Sequence, residues 1–322
     1  MIGRSYKVGI AKESTRGTVA TPTFWIPLLE LSTIENKAEY KDNTQSIGVI
    51  ADSDGAEIVK ERAEGGMDGK VLDKSIGLIL LATTGTVSSA TKSGETTVYE
   101  HTFTFANTNQ HQSLTVEIKN DNEQLAHALA MINSFSLSAE MEDYVKWNAE
   151  VVAKKGVSAS NTPSYSAENH FISKHIEFKI ASDMSSLDGA SATTIQKVDI
   201  SISKNLQEVY KLGSKEPVDI ANTVLSIEGN IEAKFDATTL KAIREAGTNK
   251  AIRIDITNSD VTIGSSSNPK LRIDLANATF QDWDKSGGLD DLIGQVIKFK
   301  AHYSLSDAKI GQMVLTNEQS SY

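Results

Sequence analysis

No cysteine occurs anywhere in the 322 residues, which excludes disulfides, thiolate catalysis and cysteine-based zinc or iron–sulfur sites. Long apolar runs are missing too. The longest, Ile76-Gly-Leu-Ile-Leu-Leu-Ala82, falls far short of the ~20 residues that cross a bilayer as a helix. The opening Met1-Ile-Gly-Arg-Ser-Tyr-Lys-Val-Gly has neither the apolar core nor the cleavage site of a secretion signal. Cations are in deficit: 32 Lys and Arg against 42 Asp and Glu leave a net charge of −10, with a pI of about 5.2. Such a chain is poorly suited to wrapping nucleic acid, which needs clustered cations. With 39% hydrophobic and 23% charged residues, it is apolar-poor yet well above the disordered range. The expectation is a soluble acidic protein made inside a cell, with length for two ordinary domains.

What is present is mostly strand. Leu114-Thr-Val-Glu-Ile118, Ser134–Ser138, Trp147–Val151, Val198–Ile202, Ile252–Ile256, Leu271–Leu275 and Ile297–Tyr303 alternate apolar and polar residues. A period of two gives each strand one buried and one wet face, the antiparallel habit. Two segments break the period. Asp73 to Thr84, ending at Gly85, and Asp236 to Ala246, ending at Gly247, each predict a short helix with a capping Asp and a terminating Gly. A third helix is predicted from Asp121 to Met131, on looser spacing.

That grammar recurs. Gly66-Met-Asp-Gly-Lys-Val-Leu-Asp leads into the first helix and Gly229-Asn-Ile-Glu-Ala-Lys-Phe-Asp into the second. A strand precedes each helix (Thr33–Lys37, Val198–Lys204), and a regular strand and two long ones follow. An ordered match of this kind predicts a tandem duplication. The Ser- and Asn-rich stretch 156–169, with Pro163, has linker composition. The organisation read here is 1–155, a linker at 156–169, and 170–322. Both halves are acidic.

No chemical motif outweighs its bland reading. Asp52-Ser-Asp54-Gly55 lacks the further ligands of a calcium loop. Gly65-Gly66-Met-Asp-Gly69 lacks the order of a phosphate-binding loop and reads as a turn or bulge. His170 and His175 are five apart, which on a strand puts them on opposite faces. Ser89-Ala-Thr-Lys92 and Ser201-Ile-Ser-Lys204 lack companion motifs and read as surface residues. Asp290-Asp291 and Glu142-Asp143 sit in loop-like contexts. Trp25, Trp147 and Trp283 read as core or interface anchors. The sequence offers no catalytic, cofactor or metal site, and the expectation is not an enzyme.

The phrase Val8-Gly-Ile-Ala-Lys-Glu-Ser-Thr-Arg-Gly-Thr-Val-Ala-Thr-Pro-Thr-Phe-Trp-Ile-Pro27 resembles the start of tail tube (major tail) proteins of long-tailed, non-contractile bacteriophages. Glu64–Leu80 and Ser201–Gly213 with Pro217 are similar to that family's strand–helix passage and its second-half strand and loop. The likeness spans 8–303. Lys74-Ser75 departs from the family's Pro-containing helix start, and 182–194 is unusually rich in Ser and Ala.

The resemblance implies two tandem antiparallel β-sandwich or barrel domains, each with a flanking helix, in a virion structural protein. Stacked rings would form a tail tube passing DNA, without specific binding, through an acidic lumen that repels phosphate. It also implies tape-measure, tail terminator and distal tail proteins as partners, a place in the virion tail after synthesis in the host cytoplasm, and no membrane. Two domains per chain suggest trimeric rings of pseudo-six-fold symmetry. A tandem binding module or adhesin is the alternative, and a carboxylate-pair hydrolase rests on composition alone.

Two regions are expected to carry assembly. The polar stretch from Tyr40 to Arg62, with Asp52, Asp54 and Glu57, is longer than a hairpin needs. With its counterpart 208–222, which holds Tyr210 and Lys215, it is expected to reach the neighbouring ring. The apolar cluster Phe24-Trp25-Ile26 follows a lead with no counterpart in the duplication, so residues 8–21 are expected to run as an arm that buries Trp25 against another subunit.

Overall fold

The protein is described by a computed structural model covering residues 2–235, 238–289 and 292–322. Asp236 and the Asp290-Asp291 pair lie outside these residues. Antiparallel strands dominate. Gln124–Glu140 and Lys270–Ser286 are long because each pairs with one strand along its first part and another along its second. The first part of Gln124–Glu140 pairs with Leu114–Lys119 and the part from Met131 onward with Lys146–Ala153, the register shifting between Ile132 and Ser134. Lys270–Ser286 does the same, with Lys250–Thr257 and then Gly294–Ala301, shifting between Phe280 and Trp283. A bulge lets a strand turn the corner between packed sheets. The third predicted helix is therefore a strand: its apolar residues Leu125, Leu129 and Met131 belong to a bent ladder.

The pairing scheme repeats. In the first half Lys7–Lys12 pairs with Leu114–Lys119, and Ala56–Lys70 with Lys146–Ala153. In the second half Ile176–Ala181 pairs with Lys250–Thr257, and Ser226–Lys234 with Gly294–Ala301. Even the 3₁₀ turns before the first strands correspond, Gly3–Ser5 and Ser173–His175. The lead segment thus has a counterpart, contrary to the sequence expectation. Its strand Lys7–Lys12 pairs on one side with Leu114–Lys119 and on the other with Phe24–Ile26.

One continuous sheet joins the halves. In order across it run Glu35–Asp42, Ala56–Lys70, Lys146–Ala153, the end of Gln124–Glu140, Lys197–Ser203, Ser226–Lys234, Gly294–Ala301 and the end of Lys270–Ser286. We call it the wall sheet. Its midpoint is the Ser134–Glu140 to Lys197–Ser203 ladder. One wall face packs Phe135, Leu137, Ala149, Val151, Ile200, Ile231 and Phe299 into the core. The other presents Ser136, Ser138, Asn148, Glu150, Asp199, Glu228, Asn230 and Lys298. The halves are also tied behind the wall, where Gly311–Asn317 bridges Lys270–Ser286 and Tyr99–Phe105.

Leu114–Lys119 and Lys250–Thr257 have no wet face. Thr115 and Glu117 are as buried as Val116, and Arg253 and Asp255 are buried too, at 6% and 9% exposure. Buried ions need a charge partner or hydrogen-bond donors: Glu117 accepts from Gln124 and Asn161, Arg253 binds Asp274 at 2.6 Å and Asp255 binds Lys270 at 2.6 Å.

The first helix, α1 (Ile76–Thr84), ends on Gly85 at φ 95°, and the second, α2 (Thr239–Ala246), on Gly247 at φ 61°. Both stops are the left-handed cap that glycine favours. The α1 start differs from expectation. Asp73 accepts from Asn169, while Glu168, from the 156–169 stretch, accepts from the backbone N–H of Lys74 and Ser75. A carboxylate at a helix N-terminus satisfies orphan donors and suits the helix dipole.

Candidate assembly surfaces

The stretch from Tyr40 to Arg62 is largely a projecting hairpin. Glu35–Asp42 pairs with Ala56–Lys70, and all eight residues of Glu35–Asp42 are exposed. Its tip is closed by the Asn43 N–H on the Gly55 carbonyl at 2.8 Å. Tyr40, Asp52, Asp54 and Glu57 are exposed, beside the exposed apolar residues Ile47, Val49 and Ile50.

The shorter second hairpin, Leu206–Val209 with Asp219–Asn222, leans on the base of the first. Arg62 lies 2.9 Å from Glu39, 3.0 Å from Glu64 and 3.1 Å from Glu208. Lys60 sits 4.8 Å above the Tyr210 ring, and the Glu61 N–H donates to the Lys215 carbonyl. Burial, then the hydrogen bond and charge of Glu208, push the Tyr210 phenol up to about 12. Tyr210 and Lys215 therefore brace one arm against the other inside one chain, while Tyr40, Asp52, Asp54 and Glu57 lie further out.

Trp25 and Ile26 are elsewhere and not free: at 4% and 2% exposure they sit in the chain's own interior, with Phe24 half-buried. The ladder partner of Trp25 is Gly9, where an added Cβ would press on the Trp25 ring. Trp25 is spent within its own fold, and the arm-and-anchor expectation is corrected accordingly.

Sequence reasoning missed the residues that set these surfaces. Glu13, in the Lys-Glu-Ser-Thr-Arg-Gly-Thr phrase, is buried and accepts from Gly17, Ser113, Thr115 and Leu129. Arg16 reaches Asp219 of the second hairpin at 2.7 Å and donates to the carbonyls of His111 and Ile220. The signal was present, since a charged run between apolar strands can be a buried hub as well as a loop. Lys204, read as a surface residue, is 1% exposed and donates to the Ala82 carbonyl near the end of α1. Burial, helped by the charge of Arg16, lowers its ammonium pKa to about 7.

The Gly-rich stretch 65–69 is a site of close approach within a strand. Gly65 has φ 154°, and a Cβ there would collide with the Thr33 carbonyl. Asp52 and Asp54 stand in the open, and among the described residues no three His, Asp or Glu side chains are grouped to hold a metal. His170 is exposed, and His175 lies on a 3₁₀ turn with Nε2 3.1 Å from Asp260. Glu142 and Asp143 sit at a turn where Asp143 pairs with Lys146. Trp147 donates to the Lys70 carbonyl and Trp283 to Gln295.

No curated protein matches the chain. A family model described as phage tail tube protein matches residues 3–299, nearly the whole chain and both repeats of the pairing scheme. A β-rich fold of two like halves behind one shared wall, with projecting hairpins, agrees with that match: the chain belongs to the phage tail tube protein family.

Proposed function

We propose that the chain assembles head to tail into closed rings, and that the rings stack into the tube that conducts DNA through the tail. The observation that carries this reading is the wall sheet. Two like halves meet edge to edge at its centre, while its outermost strands, Glu35–Asp42 and the end of Lys270–Ser286, are laddered on one side only among the described residues. An unpaired edge is a template for another chain, and unlike edges at the two ends favour a ring over a two-fold dimer.

Residues 1–155 and 170–322 act as two tube modules joined by 156–169, so three chains supply six modules. The polar wall face, with Glu150, Asp199 and Glu228 among its serines, lines the bore, where anionic groups keep DNA from adhering. Tyr40, Asp52, Asp54 and Glu57 on the long hairpin meet the next ring. The tape-measure, terminator and distal tail proteins are the other partners of the finished tube.

Cryo-electron microscopy of the purified protein tests the reading. Tubes or rings of uniform bore, with three chains per ring, are the expected result. Six chains per ring overturns the trimer, and compact monomers at every concentration overturn the tube.

A further inference from the structure

The two ends of the wall can be matched residue by residue, because the chain already contains one copy of the junction. At its centre Ser134 faces Ser203, Ser136 faces Ser201, and Glu140 faces Lys197. The repeated pairings fix which residues correspond in the halves. Ile132 faces Val151 as Phe280 faces Phe299, so Ser134–Glu140 matches residues 282–288. Met67 and Gly69 are buried on their strand as Ile231 and Ala233 are on theirs. The strands paired with these two then match Lys197–Ser203 to residues 31–37.

A turn also closes the central junction. Beyond Glu140, Met141 donates its N–H to the Gln196 carbonyl, Tyr144 bridges Ile172, and Ser173 donates to the Asp143 carbonyl. The small space left there is about 60 Å³, bordered by Met141, Ser173, Ile176 and Ile195. The matching place in the first half is open. There Gly3, Tyr6, Leu29 and Leu31 border a cavity of about 960 Å³. Ile2, Leu29 and Leu31 are exposed around it. By the same correspondence Met141 matches Leu289, which is fully exposed, and Tyr144 and Val145 match Leu292 and Ile293, also exposed.

We propose that the cavity beside Gly3, Tyr6, Leu29 and Leu31 is filled by Leu289, Leu292 and Ile293 of a second copy of this chain. In that junction residues 282–286 add to the 33–37 edge in the register of the central ladder. Asp284 then faces Glu35 as Ser136 faces Ser201, Asp282 faces Lys37, and Leu289 occupies the place of Met141. This deepens the tube reading and rests on it, naming the surfaces that close the ring. Across this ladder Asp282 opposite Lys37 is favourable and Asp284 opposite Glu35 unfavourable, so charge roughly cancels and the apolar contact drives the junction. Leu289, Leu292 and Ile293 on one copy and Ile2, Leu29 and Leu31 around the cavity of the other, all exposed, supply burial to drive the contact.

The chain has no cysteine, so paired cysteines report the register without background. Residues facing each other in a ladder lie close enough for a disulfide. Glu35→Cys with Asp284→Cys, oxidised after assembly, is expected to give covalent trimers on denaturing electrophoresis. Either single variant should give none. Ser136→Cys with Ser201→Cys is the control and cross-links within one chain. Leu289→Asp, at a side chain exposed in the monomer, should leave monomer melting unchanged and raise the concentration needed for rings about tenfold or more.

Rings that assemble with Glu35→Cys and Asp284→Cys unreacted, or that form normally with Leu289→Asp, overturn this junction and leave the tube reading standing. Wild-type protein that never forms rings overturns both.

Discussion

The two helices occupy the same place in the repeated scheme and have opposite fates. All nine residues of α1 are buried, whereas in α2 only Leu240 is. Sequence accounts for part of this. Ile-Gly-Leu-Ile-Leu-Leu-Ala-Thr-Thr has no polar face, while Thr-Leu-Lys-Ala-Ile-Arg-Glu-Ala has one. The rest is cover. Between α1 and the following wall-forming strands the first half inserts the hairpin of Gly85–Thr91 and Tyr99–Phe105, which has no counterpart after α2. The far end of the chain then returns to seal the helix, with the Tyr322 ring against Gly77 and its hydroxyl donating to the Lys74 carbonyl. A duplicated module thus keeps its wall while its back diverges, one half gaining a core helix and the other keeping a surface helix.

The largest expected break in that comparison is in the core. Ile79 is 0% exposed, and Ile79→Ala should cost about 2–5 kcal/mol through lost burial and the cavity left behind. Ile243 in α2 is only half-buried, and Ile243→Ala should cost less than about half as much. Urea denaturation of the two variants decides it. Equal losses would mean that α2 is as deeply seated as α1.

Next is the acid that opens each half. Glu13 follows Lys7–Lys12 as Asp183 follows Ile176–Ala181, and their surroundings differ. Glu13 is buried under four donors, whereas Asp183 is exposed and bonded to neighbouring serines. Glu13→Ala strands buried donors, each worth about 1–3 kcal/mol when unsatisfied. The expected loss is about 3 kcal/mol, against under about 1 kcal/mol for Asp183→Ala. Thermal melting ranks them, and a tolerant Glu13 position would remove the hub assigned to it.

These cases show what the sequence made legible. The strands of the wall were readable because one face is packed and the other polar, so Ser134–Ser138 and Val198–Ile202 alternate cleanly. The helix stops at Gly85 and Gly247 were readable because a left-handed cap favours one residue type. The third helix was misread because a bent strand has locally irregular spacing around its bulge. Glu13, Lys204 and Glu168 were opaque for another reason. A charged residue looks the same in sequence whether it faces water or a partner a hundred residues away. The Trp25 reading failed on the same ground, since the ladder that buries it pairs two segments of the supposed arm.

Lys204 gives a pH prediction with a definite sign. Its folded pKa is about 7, below the ordinary value of 10.5. Between these values the unfolded chain holds a proton that the folded chain has released, so this group makes stability rise with pH. Below about 7 both forms are protonated and the cost of burying the cation is constant. Lys204 comes from the second half, but its ammonium sits under α1 of the first, beside His111 and Arg16. Lys204→Met should be more stable than wild type at pH 7, with the gap shrinking toward pH 10. A gap independent of pH would show that Lys204 remains charged in the folded protein.

The smallest effect is expected at the two helix stops, where the same substitution meets different surroundings. Gly85 and Gly247 both have positive φ, and an alanine in that conformation costs about 1–2 kcal/mol from its own backbone. At Gly247 an added Cβ meets nothing within 4 Å, whereas at Gly85 it lies 2.8 Å from the His111 ring and 3.0 Å from the Ala106 side chain. Gly247→Ala should therefore cost about 1 kcal/mol, the backbone share alone. Gly247→Asn should cost less still, because asparagine tolerates the left-handed region. Gly85→Ala must also displace His111, which spans the carbonyls of Thr83 and Ala106, so its loss should exceed that of Gly247→Ala. Chemical denaturation of the three variants separates the two contributions. Equal losses at Gly85 and Gly247 would leave backbone conformation as the whole effect and remove the packing difference that sets the first helix apart from the second.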